Sequence, residues 1–442
     1  MARISRFYTH RHERGISLMF VVVAIFALLG MAALAVDLVT LYVAKGQAQR
    51  VADSAALAGA KTLIERGLTA DPIDTQNTWT ASCFQAKAQA IVMGNSGTIG
   101  GVAPATVTPC FPNGGACNAT CPAPSAIGTG YGVNPQVAVT VRSEPLPLFL
   151  SKIWGQSTAT VSATARAEGF NPSGTEIPVA AKCVTPWLMP NIDPYNNTPI
   201  FDATSGQILN NEPTTPGDLE GVIGRAFKLV TGCPGALVGC GGTVNAPVRV
   251  LGPPVTLTYY PIDLPNPAAS GPSCSVVGTF QQNITACNPT PIACGSQVNL
   301  DTTANPNNVG NNQLAIDCLI GASAPGAGNG QDTLDASTFP YEIDAGTTHN
   351  GVLSGTQIST SRSVVTIPVY DSGPGPVFTK PVSPVTVIGF VQALVVSSDP
   401  VSGEPTIQIL NISGCSAVAR ASSVPPVGLD EASPVPVRLI HP

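Results

Sequence analysis

The stretch "VADSAALAGAK", residues 51–61, is built almost wholly from small side chains. It lies in a Pro-free segment that begins at Val36 and runs to about Arg66. Small or apolar residues recur at Leu41, Ala44, Ala48, Val51/Ala52, Ala55, Ala58/Gly59 and Thr62. Steps of three and four put them on one stripe of an α-helix. Lys45, Gln49, Arg50, Asp53 and Ser54 fall on the opposite face. A stripe of Ala and Gly lets another backbone approach closely but removes little area from water per residue. Ala48, Ala52, Ala55 and Gly59 therefore read as a packing face, turned either to the chain's own domain or to a helix of another protein.

Upstream, Ile16 to Val36 reads "ISLMFVVVAIFALLGMAALAV", 21 residues without a charge. At about 1.5 Å per residue this matches the thickness of a bilayer core. Ile16, Phe20, Ile25, Phe26, Leu29 and Leu34 are the expected membrane-embedded side chains. Arg3, Arg6, Arg11 and Arg14 precede the run, opposed only by Glu13, whereas sparse, mixed charges follow it. The positive-inside rule then predicts residues 1–15 as a cytoplasmic leader and everything after residue 36 outside. A cleaved secretory signal is one rival, with an A-x-A at Ala33 and Ala35. Its apolar region would span only about 7–15 residues, and this run is longer and continues past Asp37 without a helix breaker. A prepilin-type signal is the other rival. Such signals carry Glu five positions after the leader Gly, where Phe20 stands here relative to Gly15. A retained, single-pass anchor is the expectation.

The chain has 442 residues, enough for two or three domains. Charged residues make up 10% and aromatics 5%, with 44 Gly and 42 Pro. With 44% hydrophobic residues and a net charge of −6, this is not a disordered composition. It suits many short strands joined by Gly, Pro, Asn and Thr turns. Mild acidity, with no basic cluster beyond the first 14 residues, argues against a nucleic-acid surface. All 12 Cys follow the apolar run, as expected of a chain that reaches an oxidising compartment across a membrane. Spacing leaves their pairing open. Local loops are available to the C-x6-C gaps 110–117, Cys233–Cys240 and Cys287–Cys294, and to Cys117–Cys121. None has the paired spacing or nearby His of a structural zinc site.

With these features in hand, the N-terminal stretch resembles the TadE/TadG-like Flp (tight adherence) pilus-assembly family. The resemblance rests on Arg14-Gly15, the apolar span closing on "AVD" (Ala35 to Asp37), Tyr42, the Gln-containing turn and "ADSAALAGA" (Ala52 to Ala60). A weaker likeness continues to about residue 170 through "VAVTV" (137–141), "PLFLSKIWG" (147–155) and "ATVSATARAE" (159–168). The two flanking pieces alternate with period two, as strands do, and Leu148, Phe149, Ile153 and Trp154 fit a short amphipathic helix between them. The resemblance implies a single-pass protein of the bacterial inner membrane, its bulk periplasmic, partnered by other pilus-assembly or secretion proteins. It implies no reaction. Some members of the family carry a von Willebrand A-like domain with a D-x-S-x-S metal site. The nearest match, "YDSGPG" around Asp371, lacks the second Ser.

Beyond residue 170 the sequence is β-rich. Strands are expected at Ala246–Leu251, Val255–Tyr260, Val364–Asp371, Val385–Val396 and Thr406–Ile412, with irregular loops over Ser270–Pro340. Two Asn/Asp-rich stretches, around Asn191, Asp193 and Asp202 and around Asp301 and Asp317, offer oxygens for Ca²⁺. The same residues are ordinary turn formers. No other cofactor is implied. Of the four His, only His349 is placed to act as an external general base. No nucleophile elbow, zinc-protease motif or phosphate loop is present, and no small-molecule substrate is evident.

The expectation is therefore an α+β chain with a transmembrane segment at 16–36. A membrane-proximal helix-plus-strand module at 37–170 precedes a mainly β, loop-rich extracytoplasmic region at 171–442. The expected role is non-enzymatic, as an anchored structural component of Flp/Tad-type pilus assembly or secretion. The alternative is an envelope-tethered binding or adhesion module.

Overall fold

A computed structural model describes residues 13–65, 69, 75–113, 116–123, 134–148, 155, 158–209, 222–232, 249–250, 255–267, 275–286, 288–305, 308–322, 330–335, 342–349, 352–358, 361–373, 379–423, 426–428 and 435–440. Helix α1 is Glu13–Glu65 and α2 is Thr75–Ser96. Strands β1 (Thr106–Asn113), β2 (Ala116–Asn118), β3 (Gln136–Pro147) and β4 (Thr158–Gly169) follow. Next come β5 (Val179–Ala181), β6 (Trp187–Pro190), β7 (Ala226–Thr231), β8 (Arg249–Val250), β9 (Thr256–Pro261) and α3 (Thr279–Thr285). Then β10 (Ile292–Ala293), β11 (Gln297–Val298), α4 (Val309–Ile320), β12 (Thr333–Asp335), β13 (Glu342–Asp344) and β14 (Gln357–Ile358) are formed. The last elements are β15 (Val364–Tyr370), β16 (Val385–Ser398), β17 (Pro405–Gly414), α5 (Ala417–Ala421), β18 (Val427–Gly428) and β19 (Val437–Ile440).

The first folded unit is a five-stranded sheet in the order β19-β4-β3-β1-β2, with α1 and α2 packed on it. Alternation decides which face they cover. Val137, Val139 and Val141 of β3 and Val161, Ala163, Ala165 and Ala167 of β4 point at the helices and are buried. Thr140 and Arg142 of β3 and Thr160, Ser162 and Thr164 of β4 point away. The register sets Val139 opposite Ala165 and Val141 opposite Ala163, so larger and smaller side chains alternate under the helix. Trp79 of α2 meets Phe111 of β1 edge-on at 5.5 Å between ring centres, and its indole N–H donates to the Pro122 carbonyl at 2.9 Å.

The outer strand of this sheet comes from the far end of the chain. β19 pairs antiparallel with β4, Arg438 opposite Glu168. The Arg438 Nε and Nη2 atoms both lie 2.7 Å from Glu168 Oε1, and its guanidinium sits 5.1 Å from the centre of the Phe170 ring. Gln136 donates to the other carboxylate oxygen at 3.2 Å. Glu168 is buried, so these partners are what make its charge tolerable there. The first unit therefore extends beyond the contiguous 37–170 expected from sequence.

The second unit is a closed barrel. β16 pairs with β15, β15 with β6, β6 with β9, β9 with β7, β7 with β17, and β17 returns to β16. The β6–β15 and β7–β9 pairings are parallel and the other four antiparallel. All six strands contribute to one core, through Met189, Phe227, Leu257, Ile367, Val391 and Ile409 among others. Inward-facing side chains of a closed ring meet in this way. The opposite faces of several strands, through Leu188, Tyr260, Tyr370 and Phe390, join a second cluster with Val179, Ile292 and Val298. Where irregular loops were expected, α3 and α4 form, burying Phe280, Ile284, Ala315, Ile316 and Leu319 against the barrel core. The Asn308 side chain caps α4 by accepting from the Asn311 N–H.

Hydrogen bonds join the two units. Asn171 Nδ2 donates to the carbonyls of Thr69 (2.7 Å) and Ile412 (3.3 Å), and Asn411 Nδ2 to Thr69 Oγ1 (3.2 Å).

Disulfides differ from the local pairs that spacing offers. Cys110–Cys117 forms across the β1–β2 hairpin. Cys121, however, bonds Cys83 of α2, and Cys294 bonds Cys415 after β17. The Cys117–Cys121 and Cys287–Cys294 bridges are thus excluded, because each would need a sulfur already committed elsewhere. Cys183 and Cys318 are also disulfide-bonded. Cys233 and Cys240 lie outside the described residues, as does most of the expected short helix at 147–155.

In the chain-entropy picture, closing the 121-residue separation of Cys294–Cys415 stabilises by about 5 kcal/mol. The double variant Cys294→Ser/Cys415→Ser should therefore unfold at much lower denaturant concentration, read by circular dichroism. At the β7–β17 seam, Lys228 Nζ lies 2.8 Å from Asp399 and 3.1 Å from Glu404. The hydrogen bond from Lys228, opposed by burial and helped by the Ser402 and Val401 N–H groups, holds the Asp399 pKa down at about 2. Its stabilising contribution is complete above the unfolded value of about 3.9 and disappears as pH falls through the lowered folded value. Asp399→Asn should flatten the acid limb of the stability profile in that window and lower stability at neutral pH.

Candidate functional site

α1 is one helix in two environments. Its 53 residues span about 80 Å. The stretch from Leu18 has a mean hydropathy of 2.8 in its most apolar window, and that window is 6% buried. This helix is long and apolar enough to cross a membrane. Ile16 falls in its first turn. Phe20, Ile25, Phe26, Leu29 and Leu34, the expected membrane-embedded side chains, are all exposed on the protein surface.

Further along, the Ala stripe packs on the chain's own fold. Ala48, Ala52, Ala55 and Gly59 are buried with Ala44, Ala56, Ala60 and Leu63 against Cys83, Ala86 and Ala90 of α2 and the Val/Ala rows of β3 and β4. At Gly59 the contact is tight. A Cβ there would sit 3.0 Å from Val137 Cγ1, 3.3 Å from the Ala86 carbonyl oxygen and 3.3 Å from Ala90 Cβ. The polar side of the helix is anchored as well. Lys45 donates to the Ser162 carbonyl, and Gln49 donates to Asp53 (2.8 Å) and to the Thr164 carbonyl (3.3 Å). Of the two readings left open by sequence, packing on the chain's own sheet is the one observed.

The stripe also begins earlier than its sequence suggests. Ala33 and Asp37 are buried, Asp37 to 1% exposure. Asp37 thus lies on the covered face of the helix. Thr40 Oγ1 donates to the Asp37 carbonyl one turn back.

The Asn and Asp residues considered for calcium are spread over several turns. Asn191 Oδ1 accepts from the Ile200 and Phe201 N–H groups. Asp193 accepts from the Tyr195 N–H, and Asp202 from the Thr204 and Ser205 N–H groups and the Ser205 hydroxyl. Those Ser205 hydrogen bonds hold the Asp202 pKa below its ordinary value. Asp301 accepts from the Thr303 and Ala304 N–H groups, and Asp317 from the Ser398 hydroxyl. Each of these is a local turn or bracing contact. Among the described residues no group of three or more His, Cys, Asp or Glu is arranged to hold a metal ion. Asp371 accepts from the Gly373 N–H, another local turn.

His349 Nδ1 lies 3.3 Å from Asp332, and the Ser361 hydroxyl donates to the same carboxylate at 2.6 Å. The Ser and the imidazole therefore converge on one Asp. In a nucleophilic triad the hydroxyl must instead meet the ring nitrogen that the Asp leaves free.

A Leu at position 52 would have to fit where helix, helix and sheet already touch. Ala52→Leu should cost about 1–3 kcal/mol through overpacking while leaving the upstream apolar run unchanged. Thermal melts of the purified protein should drop relative to the unsubstituted chain.

No curated protein and no solved structure matches the chain. Residues 15–62, on which the first unit is built, match the family described as putative Flp pilus-assembly TadE/G-like.

Proposed function

We propose that this chain is a membrane-anchored structural component of Flp/Tad-type pilus-assembly or secretion machinery, acting through protein contacts without catalysis. The observation that carries the reading is the family match over residues 15–62, since it covers both the apolar run and the Ala stripe. The apolar helix would cross the inner membrane once, with the Arg-rich leader in the cytoplasm and the barrel outside. Two features support that orientation. Arg3, Arg6, Arg11 and Arg14 all precede the run, and all 12 Cys follow it. Disulfides such as Cys83–Cys121 and Cys294–Cys415 persist in an oxidising compartment. The arrangement of Ser361, Asp332 and His349 gives no support to hydrolysis.

Intact tagged protein, extracted from host membranes with mild detergent, should co-purify with pilus-assembly or secretion components. Protease added outside spheroplasts should degrade the barrel while sparing an N-terminal tag. Release of the bulk into the soluble periplasm with a new N-terminus at Val36 would refute the anchor. Normal pili in a strain lacking the protein would refute the role in assembly.

A further inference from the structure

The apolar surface of α1 does not stop where its charge-free run stops. Beyond Val36, Leu38 is 66% exposed, Val39 61%, Tyr42 81% and Val43 50%. Turning about 100° per residue, these four occupy one arc of the helix. Ala33, Asp37, Ala44 and Ala48, all buried, occupy the opposite arc. Protein thus covers one side of α1 from Ala33 onward, while the other side stays apolar and open as far as Val43. Gly46 extends the open arc, and a Cβ there would meet nothing within 4 Å. Exposed charge returns with Lys45 at the flank and with Arg50, one turn beyond Gly46.

The boundary between apolar and polar surface therefore runs obliquely across the helix. From Ala33 to Val43 it shifts by about ten residues, or about 15 Å of axial rise. A helix standing upright in a bilayer meets the interface at one height all round. One that leans meets it further along its underside, which is the pattern here. The open arc is also continuous with the exposed apolar segment that starts at Leu18, and Tyr42 has the amphipathic ring favoured at the headgroup level.

We propose that Leu38, Val39, Tyr42 and Val43 contact lipid. The helix then crosses the bilayer tilted, with this arc on its underside. The α1/α2 sheet unit rides on its upper side, seated at the membrane surface with no intervening stalk. This inference rests on the membrane-anchor reading above and adds to it the depth and the facing of the emerging helix.

The test uses the full-length protein in phospholipid nanodiscs, with a nitroxide carried on p-acetylphenylalanine at position 28, 39, 42 or 50, one position at a time. This chemistry leaves the disulfides untouched. Collisional relaxation by oxygen, which partitions into lipid, is compared with relaxation by a water-soluble nickel chelate. Position 28 should show the highest oxygen-to-nickel ratio, positions 39 and 42 lower ratios that remain well above that of position 50, and position 50 a low one. Should 39 and 42 behave like 50 while 28 stays lipid-exposed, the helix stands clear of the bilayer and the inference fails, with the anchor intact. Protection of 39 and 42 from both reagents would mean that protein covers the arc, which also overturns it. Nickel access at position 28 would overturn the anchor reading itself.

Discussion

Close contact between small side chains on α1 and the sheet beneath it holds the first unit together and sets where the other elements go. An Ala/Gly helix face buries little apolar area per residue, so it stabilises only if backbones come near enough for dense packing. The fold meets that condition by facing the Ala stripe with Ala163, Ala165 and Ala167 of β4 and with Ala86 and Ala90 of α2. Gly59 marks the point where no further atom fits without a shift of its neighbours. Because the same helix continues into the apolar run, this packing also fixes the folded unit to the segment that could cross a membrane. No flexible linker separates them.

A second constraint is the return of the chain. β19 closes the first sheet through Arg438 and buried Glu168, so the barrel is tied to the helix unit at both of its ends. Asn171, Asn411 and Thr69 add hydrogen bonds at the junction. A load on the barrel would be shared between two covalent connections instead of one. This suits a component whose proposed work is to hold position within an assembly.

Much of this is legible where periodicity is strong. The α1 stripe, the alternation of β3 and β4, and the long apolar strands β9, β15, β16 and β17 follow from spacing alone. What escapes has physical reasons. α2 buries Trp79, Cys83, Ala86 and Ala90 on one side but exposes Phe84 and Val92 on the other, so its apolar residues run round the helix and the buried stripe does not stand out. β1 contains Pro109 and Pro112, and Pro normally argues against a strand. β6 and β19 have four residues each, too few to show a period, and β6 runs directly into the Asn/Asp-rich stretch that begins at Asn191. The closing of the barrel depends on β6 pairing with β15 and β7 with β17, strands distant in sequence, which local pattern does not encode. Disulfide pairing is hidden for the same reason, since proximity along the chain favours Cys117–Cys121 while the fold brings Cys121 to Cys83.

If one unbroken helix joins the apolar segment to the folded unit, its length can be measured in lipid nanodiscs. Spin labels at positions 20 and 54, both exposed on α1, report the distance across the point where the helix leaves the apolar run. A continuous helix predicts a single narrow distribution centred near about 51 Å, from a rise of about 1.5 Å for each residue between them. A markedly shorter or broad distribution would show instead that the helix breaks at the membrane surface, contradicting a rigid link between anchor and fold.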